Sequence, residues 1–164
     1  MESNRFDLLN QNIQMNSAMS KVVVHAGLVS DRSSAVDFNI CEGREEYSSI
    51  RPLEKKFETK SIRVIPMTLD DLVERYHLKP SFIKIDVEGW EPMVLSGSKV
   101  VISKYMPIIL MEYSSGVYVP ETKMTTIEWL KENGYKVYDH LSRVVQVGNE
   151  FDGDIIAIPK WARR

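Results

Sequence analysis

The chain has 164 residues, of which 43% are hydrophobic and 27% charged, with a formal net charge of −2. That length and balance describe one globular domain or most of one. They exclude a general nucleic-acid binder, since no basic block stands out, and the single cysteine, Cys41, excludes an internal disulfide and a Cys-rich metal site. No apolar run is long enough to span a bilayer, and no signal-peptide pattern opens the sequence. The expectation is a soluble, cytoplasmic protein with neither membrane nor nucleic acid as partner.

Arg5 to Asn16 predicts a helix, with Phe6, Leu9 and Ile13 on one face and Asn4 or Ser3 as its cap. Lys21 to Val29 reads as a buried strand, because Val22, Val23 and Val24 are continuous and β-branched. Ser30 to Ser34 is a polar turn, and Ala35 to Ile40 alternates as an exposed strand. Cys41 to Lys60 is charged and irregular, a surface loop broken by Gly43 and Pro52. Ser61 to Pro66 is a further strand. A helix from Thr68 to about Leu78 follows, with Thr68 as cap and Asp70 and Asp71 in the first turn, where negative charge is favoured. Its inward stripe is Leu69, Leu72, Val73 and Tyr76.

The stretch Phe82-Ile83-Lys84-Ile85-Asp86-Val87-Glu88-Gly89-Trp90-Glu91 organises the rest. It reads as strand, tight turn and helix start. Gly89 suits the turn, Pro92 the first helical turn, and Glu91 the positive end of the helix dipole. Asp86 and Glu88 thereby stand at the carboxyl end of a strand, the edge where open α/β sheets bind ligands; as turn formers they need no further role. The helix after Trp90 runs to about Tyr105, interrupted near Gly97. Ile108 to Met111 is a strong strand ending at another carboxylate, Glu112. Thr125 to Asn133 is a helix stopped by Gly134, and Tyr135–Tyr138 and Asp154–Ile158 close the chain as an antiparallel pair. Alternating strands and helices call for an α/β layered fold with a mostly parallel sheet.

Thr68-Leu69-Asp70-Asp71-Leu72, then Phe82 to Glu91, with Leu95, Gly97 and Pro107-Ile108-Ile109-Leu110-Met111-Glu112, resembles the FkbM-type S-adenosylmethionine-dependent methyltransferases. Upstream, Glu2-Ser3-Asn4 with Leu8, Leu9, Asn12, Ile13 and Asn16 is similar to the family's segment after its second strand, with Ser3 where proline often stands. The likeness covers nearly all of the chain. It implies a class I methyltransferase-like, Rossmann-like α/β fold, mostly parallel with an antiparallel terminal strand. It implies S-adenosylmethionine as cofactor and a hydroxyl as methyl acceptor, on a sugar, glycan or other small molecule. The family also carries a Gly-rich Asp-x-Gly-Ala-Asn-x-Gly turn ahead of this region, and the eight glycines here include no closely spaced set. Residues 1–164 are therefore expected to form a single domain that lacks the N-terminal strands and the cofactor loop, binds cofactor weakly if at all on its own, and self-associates through an exposed sheet edge.

Within that resemblance, Asp86 lies where strand end, cofactor and substrate meet, and Glu88 and Glu112 are its catalytic neighbours. Methyl transfer from a sulfonium chiefly needs an aligned oxygen nucleophile and gains from a base that takes its proton. Clustered carboxylates raise one another's pKa, which makes one of them a usable base. Alternatively the same oxygens hold a magnesium or calcium ion that orients a polyol. Glu2 would accept hydrogen bonds from the cofactor ribose, or serve only as a helix N-terminal charge. His25, His77 and His140 show no ligand spacing. Two rival readings stay open: a non-catalytic, methyltransferase-like remnant or interaction protein, and a glycosyltransferase-like metal motif at Asp86-Val87-Glu88.

Overall fold

The structure is a computed structural model, and it describes residues 4–16, 21–41, 59–120, 122–148 and 151–162. Helix α1 (Asn4–Met15) opens it and buries Ile13. Strands β1 (Val36–Cys41) and β2 (Thr59–Val64) pair antiparallel, Val36 opposite Val64, as a separate two-stranded sheet. The expected loop from Cys41 to Lys60 lies largely outside the described residues, with Cys41, Thr59 and Lys60 drawn into these strands.

The valine run is not a strand. Val22 and Val23 are exposed, and of the stretch Lys21 to Val29 only Val29 bridges, parallel, to Met67. β-branched residues favour extended backbone, but a strand also needs a neighbour for its N–H and C=O groups. Among the described residues Val22–Val24 has none.

Helix α2 (Leu69–Arg75) starts where expected, because Thr68 Oγ1 accepts the Asp71 N–H at 3.0 Å. It ends earlier than its apolar spacing suggests: Tyr76 closes the helix and His77 turns to φ 51°. Of its expected stripe Val73 is buried, while Leu69, Leu72 and Tyr76 are half-buried. Strand β3 (Phe82–Ile85) leads through the Gly89 turn into α3 (Glu91–Ser96) and α4 (Lys99–Tyr105), which Gly97 and Ser98 separate. Strand β4 (Ile108–Tyr113) follows, then α5 (Thr126–Glu132). A reciprocal capping box between Thr125 and Glu128 starts α5, and Gly134 at φ 88° stops it. Strands β5 (Tyr135–Asp139) and β6 (Gly153–Pro159) and a 3₁₀ turn (Lys160–Ala162) complete the chain.

The main sheet has the order β3-β4-β6-β5. It is mixed: β3 and β4 run parallel, with Ile85 beside Met111, and β6 is antiparallel to both of its neighbours. One face carries Ile85, Ile109, Met111, Tyr113, Ile155, Ala157, Tyr135 and Val137, all buried with Leu95, Ile102, Ile127 and Leu130 of the helices. Burying each larger side chain of that set contributes about 1.5–3 kcal/mol. The Tyr135 hydroxyl lies in this core with no hydrogen-bond partner among the described residues, and burial pushes its pKa up to about 12. The other face is open: Phe82 is 52% exposed, Lys84, Glu112 and Lys136 are exposed, and Ile108, Leu110, Ile156 and Ile158 are half-buried. No described helix is long and apolar enough to cross a membrane.

Candidate functional site at the carboxyl ends of two parallel strands

Because β3 and β4 are parallel and in register, they end together, and their following turns rise at the same edge. Asp86 leaves β3 on the open face, where its carboxylate pairs with Lys84 Nζ at 2.7 Å. That hydrogen bond first, and the charge of Asp86 with it, raises the Lys84 pKa. Glu88 follows at φ 51° and Gly89 at φ 83°. Two successive left-handed residues end the strand's alternation, so Glu88 is exposed but does not share a strand face with Asp86.

Glu91 has a role that its place in the first helical turn conceals. It is 5% exposed, and its Oε1 accepts the N–H groups of Val87 and Gly89, each at 3.2 Å. One carboxylate thereby ties the turn after β3 to the start of α3 and satisfies donors that the left-handed turn leaves unpaired. The Trp90 indole also faces inward: its Nε1–H donates to Ser30 Oγ at 3.1 Å. Ser30 Oγ in turn donates to Asp31 Oδ1 at 3.0 Å, and Arg32 donates to both Asp31 oxygens. Burial works to raise the Asp31 pKa, but the bonds from Arg32 and Ser30 outweigh it and hold the carboxyl below its ordinary value.

Glu112 is the electrostatic focus. Although Glu112 is exposed on the open face, partial desolvation first, then the charges of Glu91, Glu88, Asp86 and Asp154, raise its pKa above the ordinary glutamate value. The structure thus brings Asp86, Glu88 and Glu112 to one edge and adds Glu91 and Asp154. Asp154 arrives because β6 pairs antiparallel with β4, placing it opposite Glu112. Its signal in the sequence was its place at the start of a closing strand, but its partner depends on register. Among the described residues no group of three or more His, Cys, Asp or Glu stands in an arrangement that could hold a metal ion. Glu2 lies outside the described residues.

Between the two turns runs a narrow crevice lined by Gly89, Glu91, Pro92, Glu112 and Val117. A separate open cavity of ≈ 600 Å³ is lined by Met93 of α3, by Tyr118, Val119, Pro120 and Lys123 of the loop after β4, and by Arg32. Tyr118 is 55% exposed there.

The family model described as the methyltransferase FkbM domain matches residues 2–137. The chain belongs to the FkbM methyltransferase-domain family. No curated protein and no solved structure matches it. The family match ends inside β5, so β6, which holds β4 and β5 together and carries Asp154, lies beyond it. Within the FkbM match fall Asp86, Glu88, Glu91 and Glu112, the carboxylates of the two parallel strand ends.

Proposed function

We propose that this FkbM-family chain forms the acceptor side of an S-adenosylmethionine-dependent O-methyltransferase acting on a sugar or other small hydroxylated metabolite. The observation that carries the proposal is the geometry of the parallel pair β3 and β4, whose carboxyl ends bring Asp86, Glu88 and Glu112 to one edge of the sheet. A base is most useful when its pKa approaches the working pH, and partial desolvation with the neighbouring carboxylates moves Glu112 in that direction.

The chemistry of the donor set fits the cofactor in charge. A sulfonium and an ammonium are cations, and Asp86 and Glu88 present carboxylates at the strand end. Asp86 already neighbours one cation, the Lys84 ammonium at 2.7 Å, and on this reading it would exchange that partner for the cofactor's charge. When bound, S-adenosylmethionine supplies an electrophilic methyl group. Glu112 accepts the proton that the acceptor hydroxyl loses. Glu91, locked by two backbone N–H groups, keeps the turn in place so that Asp86 and Glu112 hold their separation. The ≈ 600 Å³ cavity matches the size of small-molecule sites, and the exposed Tyr118 ring offers a platform for a sugar ring.

We further propose that the four-stranded sheet is one side of a Rossmann-like, class I methyltransferase sheet. The order β3-β4-β6-β5 with β6 antiparallel supports that reading, as does the open face of the sheet. The chain holds no closely spaced glycine set to let backbone approach the cofactor's methionine part, so cofactor affinity is expected to rise when such a segment is supplied.

The test joins the chain to the Gly-rich N-terminal segment of another family member. The joined protein is incubated with S-adenosylmethionine and a panel of sugars and polyols, and O-methyl ethers are sought by mass. Methylated products support the proposal. Cofactor bound without transfer to any hydroxyl favours a methyltransferase-like interaction protein instead.

A further inference from the structure

Two cations from distant parts of the chain, Arg32 and Lys123, line the open cavity beside Tyr118, and each is held there. Arg32 donates to both oxygens of Asp31, at 2.7 and 3.0 Å, a fork that uses two of the five guanidinium N–H donors. Ser30 Oγ fixes Asp31 at 3.0 Å, and the Trp90 indole fixes the fully buried Ser30 at 3.1 Å. Trp90 stands between the turn after β3 and α3, so this relay sets Arg32 in a defined place relative to the strand-end carboxylates. Lys123 comes from the loop after β4, which closes on itself. Val119 N–H donates to Met124 C=O at 2.8 Å, and Thr122 Oγ1 donates to Val119 C=O at 2.9 Å while accepting the Met124 N–H at 3.1 Å. Lys123 is exposed at φ 58°, and its ammonium makes no hydrogen bond or ion pair among the described residues. Asp31 balances Arg32, and Lys123 adds a positive charge beyond that balance. The rest of the lining, Met93, Val119, Pro120 and the Tyr118 ring, is apolar.

We propose that this cavity binds a sugar that carries an anionic group, a carboxylate or a phosphate, and that this sugar is the methyl acceptor; the acceptor role rests on the methyltransferase reading, and the binding does not. A guanidinium fork matches the planar oxygens of a carboxylate or the oxygens of a phosphate, and an ammonium adds a point charge. The Tyr118 ring, 55% exposed, gives the apolar face of a sugar ring a flat surface. The same two segments border the cavity and the crevice at the strand ends: Pro92 and Val117 line the crevice, and the next residues, Met93 and Tyr118, line the cavity. Charge then orients the ligand. Asp86, Glu88 and Glu112 repel an anion from the strand ends, while Arg32 and Lys123 attract it into the cavity. An anionic sugar is thereby held one way round, with its uncharged hydroxyls toward the carboxylates.

The experiment titrates the 164-residue chain, without cofactor, with glucuronate, glucose 6-phosphate, glucose and inorganic phosphate, and follows backbone amide shifts by NMR. At least one of the two anionic sugars is expected to bind at least about tenfold more tightly than glucose and than inorganic phosphate, shifting the amides of Val119 and Met124. Whichever of the two binds more tightly names the anion. Lys123→Gln lowers that affinity about tenfold and leaves glucose unchanged, and Lys123→Arg restores it. Arg32→Lys keeps the charge, loses the fork and also weakens binding. Tyr118→Ala weakens the sugars and not inorganic phosphate. Circular dichroism verifies that each variant folds. Glucose bound as tightly as both anionic sugars, inorganic phosphate bound as tightly as glucose 6-phosphate, no binding of any probe, or a Lys123→Gln chain with unchanged affinity overturns the proposal. Methyl transfer to neutral sugars as fast as to anionic ones overturns it too, and leaves the methyltransferase reading standing. Anionic sugars bound at Val119 and Met124 with no transfer to any hydroxyl do the reverse: the binding stands and the methyltransferase reading falls.

Discussion

Gly97 stands so close to Ser30 that a Cβ built on it would lie 2.1 Å from the Ser30 carbonyl oxygen. The close approach is held from several sides. Ser30 N–H donates to Met67 C=O at 2.9 Å, Asp70 N–H donates to Gly97 C=O at 3.0 Å, and Trp90 Nε1–H reaches Ser30 Oγ. Gly97 has an ordinary φ of −85°, so space, and not backbone conformation, demands glycine here. Gly97→Ala must push two backbones apart, and the expected cost is about 3 kcal/mol, the upper end of overpacking changes. The midpoint of urea unfolding measures it.

Asp70 caps a helix to which it does not belong. Its Oδ2 and Oδ1 accept the N–H groups of Val100 and Val101, at 3.0 and 2.8 Å, in the first turn of α4. The residue before that helix, Ser98, makes no side-chain cap bond of its own to it. Asp70→Ala is therefore expected to cost about 0.5–2 kcal/mol, as the loss of an N-cap does. Its exposed neighbour Asp71→Ala should change stability by less than about 0.5 kcal/mol. Paired unfolding curves of the two variants test the contrast.

Tyr135 gives the opposite sign. Its hydroxyl is buried with no partner among the described residues, and an unsatisfied buried polar group costs about 1–3 kcal/mol. Tyr135→Phe keeps the ring and removes the hydroxyl, so the variant should unfold at higher urea than wild type. A lower midpoint would show that the hydroxyl is satisfied in solution.

The legible and illegible parts of this chain divide by range. β3, β4 and the Thr68 cap could be read because apolar runs, a capping threonine and a left-handed glycine act within a few residues. So could the Thr125 helix with its Gly134 stop. Val22–Val24 misled because propensity reports an extended backbone and not whether a neighbouring strand is present. Gly97 marked an interruption, but its cause, Ser30, is distant in sequence. Asp70 looked like a helix-dipole charge of α2, and its bonds to α4 depend on how the two helices pack. At the candidate site the strand-end carboxylates Asp86, Glu88 and Glu112 were visible. Asp154 needed the β4–β6 register, and the burial of Glu91 needed the left-handed turn that it closes.

Glu112 also predicts a pH dependence. Its folded-state pKa is raised, first by partial desolvation and then by Glu91, Glu88, Asp86 and Asp154. The protonated form therefore favours the fold: the stabilising contribution is complete below the ordinary glutamate value of about 4.3 and is lost as pH rises through the higher folded value. At pH 7 the ionised carboxylate opposes folding. Glu112→Gln should be more stable than wild type near neutral pH, with the difference vanishing below about pH 4. Unfolding midpoints across that range test the sign.

The most direct test of the proposed chemistry asks whether the same substitution that relieves Glu112 also removes methyl transfer. In the chain joined to a family Gly-rich segment, turnover from S-adenosylmethionine to the best hydroxyl acceptor is measured for wild type, Glu112→Gln and Asp86→Asn, with cofactor affinity measured alongside. The account predicts that Glu112→Gln lowers turnover by about 10²-fold or more with cofactor affinity little changed, and that Asp86→Asn weakens cofactor binding as well. Undiminished turnover in Glu112→Gln would contradict it.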